Sequence, residues 1–160
     1  MAHAGRGDAG DTAGLPLFLI LIAGIGRAFL LQGIHEEWWF RGFAFRGYRE
    51  RPVLVLAATT VFFTLLHLVS SGGQQSASEL FLYLALPLGM GFWAGVERLR
   101  TDTVWGAVGI HGGIHVGLVG AQLLGWEMGP AAWITIGLAL CAAAMVRLVT
   151  APKNQRQSAG

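Results

Sequence analysis

Five apolar segments, each close to twenty residues long, constrain what this chain can fold into. They cover residues 15–34, 52–69, 80–96, 104–124 and 131–149. A helix needs about 20 apolar residues to cross the hydrocarbon core of a bilayer, and it satisfies its backbone hydrogen bonds within itself. The pattern predicts an all-α fold, a polytopic integral membrane helical bundle with about five transmembrane helices.

The composition agrees with a membrane protein. Of the 160 residues, 54% are hydrophobic and 12% are charged, whereas charged residues make up about 25% of a soluble domain. We expect a single transmembrane domain over residues 15–150, a mobile N-terminal tail over residues 1–14 and a polar C-terminal tail over residues 151–160. Cys141 is the only cysteine, so an intrachain disulfide and a Cys-x-x-Cys site are excluded.

Basic residues occur at alternate ends of the apolar segments. They cluster in residues 46–51, 98–100 and 147–156, and the other two connections contain no Lys or Arg. Because basic loops stay in the cytoplasm, we expect the C-terminus of this multi-pass protein to be cytoplasmic. The same clustering explains the net charge of +2 as a topology signal, and we expect no nucleic-acid partner.

Ionisable side chains inside or directly after the apolar segments are the strongest functional signal. They are Glu36, Glu37, His67, His111 and His115, and an ionised group near the centre of a bilayer costs on the order of 3 kcal/mol. At about 1.5 Å of rise per residue from the basic ends, Glu36 and the three histidines fall about 15 to 24 Å into the membrane. We therefore interpret these residues as one site.

The spacing of residues within the first two predicted helices indicates different roles for the residues of this site. Glu37 and Arg41 are four residues apart and can form an ion pair on one helix face. That pair is either purely structural or part of the chemistry. Glu36 points about 100° away and is left as a candidate general base. Phe63 and His67 also share a helix face, so the phenyl ring can restrict the imidazole.

The other two histidines lie on one face of a single predicted helix. His111 and His115 are separated by a segment that contains Gly112 and Gly113. The glycines permit the close approach of a neighbouring helix or of an extended substrate backbone. Two histidines on one stripe that faces a glutamate pair favour a functional site.

Three sequence motifs, in order, resemble those of a known family. They are EExxxR at residues 36–41, FxxxH at residues 63–67, and a motif at residues 111–115 that is similar to HxxxN or HxxxD. On these motifs the chain resembles the CAAX-protease and bacteriocin-processing (CPBP) family of intramembrane glutamic endopeptidases, which includes the type II CAAX prenyl endopeptidases. The third motif ends in His115, where the family usually has Asn or Asp.

The resemblance implies a function and a role for each site residue. It implies an intramembrane protease that needs no cofactor and hydrolyses a peptide bond of a membrane-associated protein or peptide. Glu36 and His67 would activate a water molecule, and His111 and His115 would stabilise the oxyanion. Arg41 would be a supporting residue, together with Glu37 and Phe63.

The resemblance also implies a location, the inner (cytoplasmic) membrane of a bacterium, and a choice of substrates. Members of the family process prenyl-type termini, bacteriocin leaders or, in the manner of myxosortases, C-terminal sorting tails. The sequence does not decide between these substrates.

Two alternatives stay open at this point. Glu36, His67, His111 and His115 form a three-histidine, one-carboxylate set suited to zinc, so a zinc-dependent membrane protease could use the same residues as ligands. Metal-free chemistry is favoured because the chain has no HExxH motif and the family is thought to work without an obligatory metal. The second alternative is a non-catalytic membrane protein, either one that binds haem or another metal through its histidines or an immunity protein on the same scaffold.

The alternation of basic and neutral connections generates a labelling prediction. In a chain whose Cys141 is replaced by serine, Arg49→Cys should react with a membrane-impermeant thiol reagent only in inside-out vesicles, because basic loops remain cytoplasmic. Gln74→Cys should react only in right-side-out vesicles. The opposite pattern, read from gel shifts of the labelled protein, would overturn the orientation.

Overall fold

The computed structural model describes residues 16–70 and 73–150, and helices account for nearly all of that part of the chain. They are α1 (Leu17–Gly47), α2 (Pro52–Leu66), α3 (Ala77–Thr101), α4 (Trp105–Leu123) and α5 (Pro130–Val149). A 3₁₀ turn, His67–Val69, follows α2. The described residues contain no strand, so the predicted all-α, polytopic helical bundle is confirmed. The predicted tails, residues 1–14 and 151–160, lie outside the described residues.

Four of these helical segments are long and apolar enough to cross a membrane, namely α1, α2 with its 3₁₀ turn, α3 and α5. The fourth predicted span, residues 104–124, forms α4, which has 19 residues. Two histidines and six glycines in α4 lower its mean hydropathy. The structure therefore supports four candidate spans where about five were expected, and the fifth helix, α4, packs against α1 and α3.

The structure extends two of the predicted helices. The first predicted span ended at residue 34, whereas α1 continues through Glu36 and Glu37 to Gly47. Two π-helical stretches, Arg27–Ile34 and Trp38–Phe43, flank the glutamates, and such turns are often found at functional sites. The third predicted span began at residue 80, whereas α3 starts at Ala77, because the Ser76 hydroxyl accepts a hydrogen bond from the backbone N–H of Glu79 at 3.2 Å and caps the helix.

The long helix α3 lies at the centre of the bundle and packs against α2, α4 and α5. Its inward side contributes to two apolar clusters. One consists of Phe45, Val55, Leu56, Val96 and Ala144, and the other of Phe63, Leu86, Met90, Trp133 and Leu140. The second cluster includes Phe63 of the FxxxH motif, so the candidate site is built on the packed interior of the bundle.

Arginines that the sequence marks as topology signals also hold the basic end of the bundle together. The Nε and Nη2 atoms of Arg147 donate to the two carboxylate oxygens of Glu97 at 3.0 and 3.2 Å and so connect α5 to α3. Arg98 is buried, and its Nη1 donates to the Asp102 carboxylate at 2.6 Å. This hydrogen bond from Arg98 holds the pKa of Asp102 below its usual range.

Glycines allow α3 and α5 to approach closely. A Cβ atom at Gly137 would overlap the backbone of Ala85, and one at Gly89 would overlap the backbone of Gly137. Small residues at such crossings let two helix backbones meet in a membrane. Because the obstructing atoms are backbone atoms, a change of side-chain rotamer cannot relieve the overlap.

Gly137→Ala should therefore lower the free energy of unfolding, by about 1 to 3 kcal/mol for an overpacked site. Gly117→Ala is the matched control, since a Cβ atom there has nothing within 4 Å. The measurement is unfolding in mixed detergent micelles, followed by circular dichroism. Equal stability of the two variants would show that α3 and α5 do not meet in this way.

Candidate active site

The centre of the candidate site is a buried ion pair on α1. Glu37 and Arg41 both have 0% exposure, and Nη1 of Arg41 lies 3.1 and 3.2 Å from the two Glu37 carboxylate oxygens. The pair that the four-residue spacing predicts is therefore present. Nη2 of Arg41 also donates to the backbone carbonyl of Gly91 at 2.6 Å, which connects α1 to α3.

A chain of hydrogen bonds continues from Glu37 into α4. Nδ1 of His111 lies 2.8 Å from the Glu37 carboxylate, and because a carboxylate accepts hydrogen bonds, this nitrogen carries the hydrogen. Nε2 of His111 lies 3.1 Å from Nε2 of His115, and the two rings stack with centroids 5.0 Å apart. Both nitrogens of His111 are thus occupied, and Nδ1 of His115 is the nitrogen that remains.

Phe63 connects the two halves of the site. Its ring is 1% exposed and lies 5.0 Å from the Arg41 guanidinium carbon, a cation–π distance. The ring centroids of His67 and His111 are 4.6 and 5.7 Å away. The phenyl ring therefore separates His67 from the ion pair and restricts both imidazoles.

Glu36 and His67 line a different space from Glu37. A mostly apolar cavity of about 870 Å³ lies between α1 and α2, and both residues line it. Nδ1 of His67 donates to the Phe63 carbonyl at 2.8 Å, which leaves Nε2 as an acceptor in the neutral ring. Among the described residues Glu36 has no hydrogen bond or ion pair. The two adjacent glutamates therefore have different surroundings, as their 100° separation predicts.

A second cavity joins the remaining predicted residues. It has a volume of about 440 Å³, and both His67 and His115 line it. Glu36 and His67 therefore line one cavity, and His67 and His115 line the other. His111 is 1% exposed and lies between His115 and the ion pair of Glu37 and Arg41.

The positions of the candidate ligand side chains bear on whether they could bind one zinc ion. In residues 16–70 and 73–150, no group of three or more His, Cys, Asp or Glu side chains is placed to hold one metal ion. The four predicted zinc ligands, Glu36, His67, His111 and His115, are divided by Phe63 and by the His111–Glu37 hydrogen bond. This geometry gives the zinc alternative no support, and the absence of a cofactor stays a prediction.

Sequence reasoning missed two residues that hold the site. Gly91 supplies the carbonyl for Arg41, and a Cβ atom there would lie 3.1 Å from both Nη2 of Arg41 and the Phe63 ring. Nε of Arg98 donates to the Arg41 backbone carbonyl at 2.9 Å. The sequence offered a weak signal for each residue: Gly91 is a glycine between apolar residues, and Arg98 is an arginine just after the end of an apolar segment.

The fold and this geometry define a polytopic membrane protein with a buried glutamate–histidine site. The family model described as Type II CAAX prenyl endopeptidase Rce1-like matches residues 16–117, which is more than half of the 160 residues. The chain belongs to this family, as the three motifs predict. The match includes all three motifs and makes the chain a member of a family of membrane proteases that act on protein substrates. No curated protein and no solved structure matches the chain.

The unequal burial of the two glutamates generates a stability prediction. Glu37→Gln should lower the free energy of unfolding by about 3 to 5 kcal/mol, because it leaves Arg41 as an unpaired buried charge. Glu36→Gln should change it by less than about 1 kcal/mol, since Glu36 forms no hydrogen bond or ion pair with another described residue. Unfolding in mixed micelles measures both.

Removal of both charges provides the control for this prediction. In Glu37→Gln/Arg41→Met no stranded cation remains, so part of the lost stability should return. If Glu36→Gln proves as damaging as Glu37→Gln, the two glutamates do not differ as described.

Proposed function

We propose that this chain is an intramembrane glutamic-type endopeptidase in which Glu36 and His67 activate a water molecule. The observation that carries the proposal is the division of the glutamates. Glu37 is held by Arg41 and His111, whereas Glu36 shares a cavity with His67 and has no hydrogen bond to another described residue. A carboxylate that is not paired is available as a general base.

Two acceptors that line one cavity suit the activation of water. The Glu36 carboxylate is one acceptor, and Nε2 of His67 is the other, because Nδ1 is committed to the Phe63 carbonyl. A water molecule that donates its two hydrogens to these groups directs an oxygen lone pair away from them. Loss of a proton to either group then gives the nucleophile that attacks the peptide carbonyl.

The oxyanion needs a hydrogen-bond donor, and His115 is the candidate. Both nitrogens of His111 are occupied, so on this proposal His111 acts through His115 as a positioning residue. If His111 donates through Nε2, His115 accepts at Nε2 and carries its hydrogen on Nδ1. The cavity that His115 lines also contains His67, so the donor and the attacking water would lie on opposite sides of the same carbonyl.

The cavity between α1 and α2 suits an apolar, membrane-associated peptide. Phe40, Phe62 and Leu66 are among its lining residues, and Phe62 and Leu66 are also exposed on the outside of the bundle. A substrate segment that lies in the bilayer can therefore reach Glu36 without crossing water. We propose that the enzyme works in a bacterial cytoplasmic membrane and processes a C-terminal or leader segment.

Glu36→Gln tests the base directly. It should leave the fold intact and lower kcat by about 10² to 10⁴, the usual contribution of a general base, with KM little changed. The assay is cleavage of co-expressed membrane peptides by the purified protein, with cut sites mapped by mass spectrometry. Thermal unfolding of the variant controls for misfolding, and near-normal cleavage would refute the assignment of Glu36.

The same assay separates glutamate chemistry from the zinc alternative. Cleavage by the wild type should continue in the presence of a chelator, because no residue in the proposed mechanism acts through a metal. Zinc that is retained through purification and activity that disappears with chelation would overturn the metal-free mechanism.

A further inference from the structure

A third cavity lies at the basic end of the bundle and contains none of the candidate catalytic residues. It has a volume of about 530 Å³ and lies between the connection from α1 to α2 and the last turn of α3. Arg49, Arg98 and Arg100 line it, and Asp102 is the only acidic residue among the described residues that do so. Three guanidinium groups and one carboxylate give the cavity an excess of positive charge.

Asp102 does not neutralise this cluster. Its carboxylate lies 2.6 Å from Nη1 of Arg98 and 3.6 Å from Nη2 of Arg49, so two cations share one anion. Arg100 is outside this arrangement, since its Nη1 donates to the backbone carbonyl of Arg147 at 2.9 Å and no described carboxylate pairs with it. Like charges that are held together favour the binding of an opposite charge.

Arg98 supplies the cavity with a donor that is fixed in place and still free. Its side chain is buried, Nε donates to the Arg41 carbonyl, and Nη1 donates to Asp102. Nη2 donates to no described residue and is not sealed from solvent, so it opens on the cavity that Arg98 lines. A guanidinium that its neighbours already hold loses little conformational freedom when it binds a ligand.

The position of the cavity favours a phosphate group as that ligand. The cavity lies where α1 ends, α2 begins and α3 ends, which is the depth of the lipid headgroups, and basic pockets between helices on the cytoplasmic side bind anionic headgroups. Guanidinium groups match the oxygens of a phosphate in pairs, and one phosphate has enough oxygens to bond arginines from two elements. Phe45, Val55 and Leu99 also line the cavity and offer apolar contacts beside the charges.

We propose that this cavity is a binding site for a phosphate group, held by Arg49 and Arg98 in the field of Arg100. An anionic lipid headgroup and a free phosphate ion share this chemistry, and the experiment distinguishes the two sources. Asp102 competes with the phosphate for the same two arginines. Because Arg98 also bonds the Arg41 carbonyl, the bound phosphate fixes the side chain that connects α3 to the helix of the buried ion pair, and it should stabilise the bundle.

The test measures binding to the full chain in a non-ionic detergent, by native mass spectrometry and by thermal unfolding. The probes are short-chain phosphatidylglycerol, short-chain phosphatidylcholine, which carries a phosphate but no net charge, and inorganic phosphate. Phosphatidylglycerol should bind about 10- to 100-fold more tightly than phosphatidylcholine, the usual range for hydrogen bonds to a charged group, and should raise the midpoint of unfolding. If inorganic phosphate binds as tightly and displaces phosphatidylglycerol, the ligand is a free phosphate, and if it does not, the ligand is a lipid.

Two substitutions should change the affinity in opposite directions. Arg49→Gln should weaken the binding of the anionic probe about 5- to 10-fold, because a charged donor is lost. Asp102→Asn should strengthen it about 2- to 5-fold, the usual contribution of an exposed ion pair that no longer competes. Asparagine tolerates the left-handed backbone of this position, φ 52°, so the fold is kept. Arg51→Gln is the matched control, since Arg51 lies in the same connection, is exposed and does not line the cavity.

A purely structural role for these arginines predicts a different result. In that case Asp102→Asn lowers the midpoint of unfolding and leaves the affinity for every probe unchanged, and the proposal is wrong. It is also wrong if neither phosphatidylglycerol nor inorganic phosphate binds better than phosphatidylcholine, or if Arg49→Gln and Arg51→Gln have equal effects. Both test variants retain the bond from Arg98 to the Arg41 carbonyl, which Arg98→Gln would remove, so misfolding does not obscure the outcome.

Discussion

The buried ion pair between Glu37 and Arg41 is the interaction on which the rest of the site depends. Both side chains are inaccessible to solvent, and either one left alone would be an uncompensated charge inside a membrane protein. The pair also joins three helices, since Arg41 bonds the Gly91 carbonyl of α3 and Glu37 bonds His111 of α4. Arg98 adds a second connection from α3 to the Arg41 carbonyl. The charges therefore fix where the helices meet, and the apolar clusters pack around that arrangement.

This arrangement explains why two adjacent glutamates can have different tasks. Consecutive residues on a helix point about 100° apart, so a bundle that encloses Glu37 must direct Glu36 elsewhere. Glu36 faces the space between α1 and α2, and Phe63 separates His67 from the guanidinium of Arg41. On the proposed mechanism, one turn of α1 therefore presents both carboxylates, the structural one of Glu37 and the reactive one of Glu36.

Local features of this protein could be predicted from the sequence, and contacts between helices could not. Segments of about twenty apolar residues predict the helices, and the four-residue spacing predicts the pairing of Glu37 with Arg41. The bond from Arg98 to Arg41 joins residues 57 positions apart, and no periodicity in the sequence encodes such a partner. Composition likewise does not indicate the π-helical turns of α1. The sequence predicts only that the glutamates and the histidines lie at a similar depth in the membrane. The 2.8 Å contact between His111 and Glu37 depends on how α4 packs against α1.

On the proposed mechanism, the histidine at position 115 gives this site a property that an asparagine would lack. If Nδ1 of His115 donates to an oxyanion while its Nε2 accepts from Nε2 of His111, His111 carries hydrogens on both nitrogens and is a cation. Glu37 already balances Arg41, so this cation adds a positive charge that the Glu36 carboxylate of the neighbouring cavity offsets until it takes the proton of the water. The negative charge that develops on the oxyanion restores the balance. On the proposed mechanism the two histidines therefore bind the transition state more strongly than the neutral substrate, which is the condition for catalysis, and the buried ion pair contributes to the reaction without contacting the peptide.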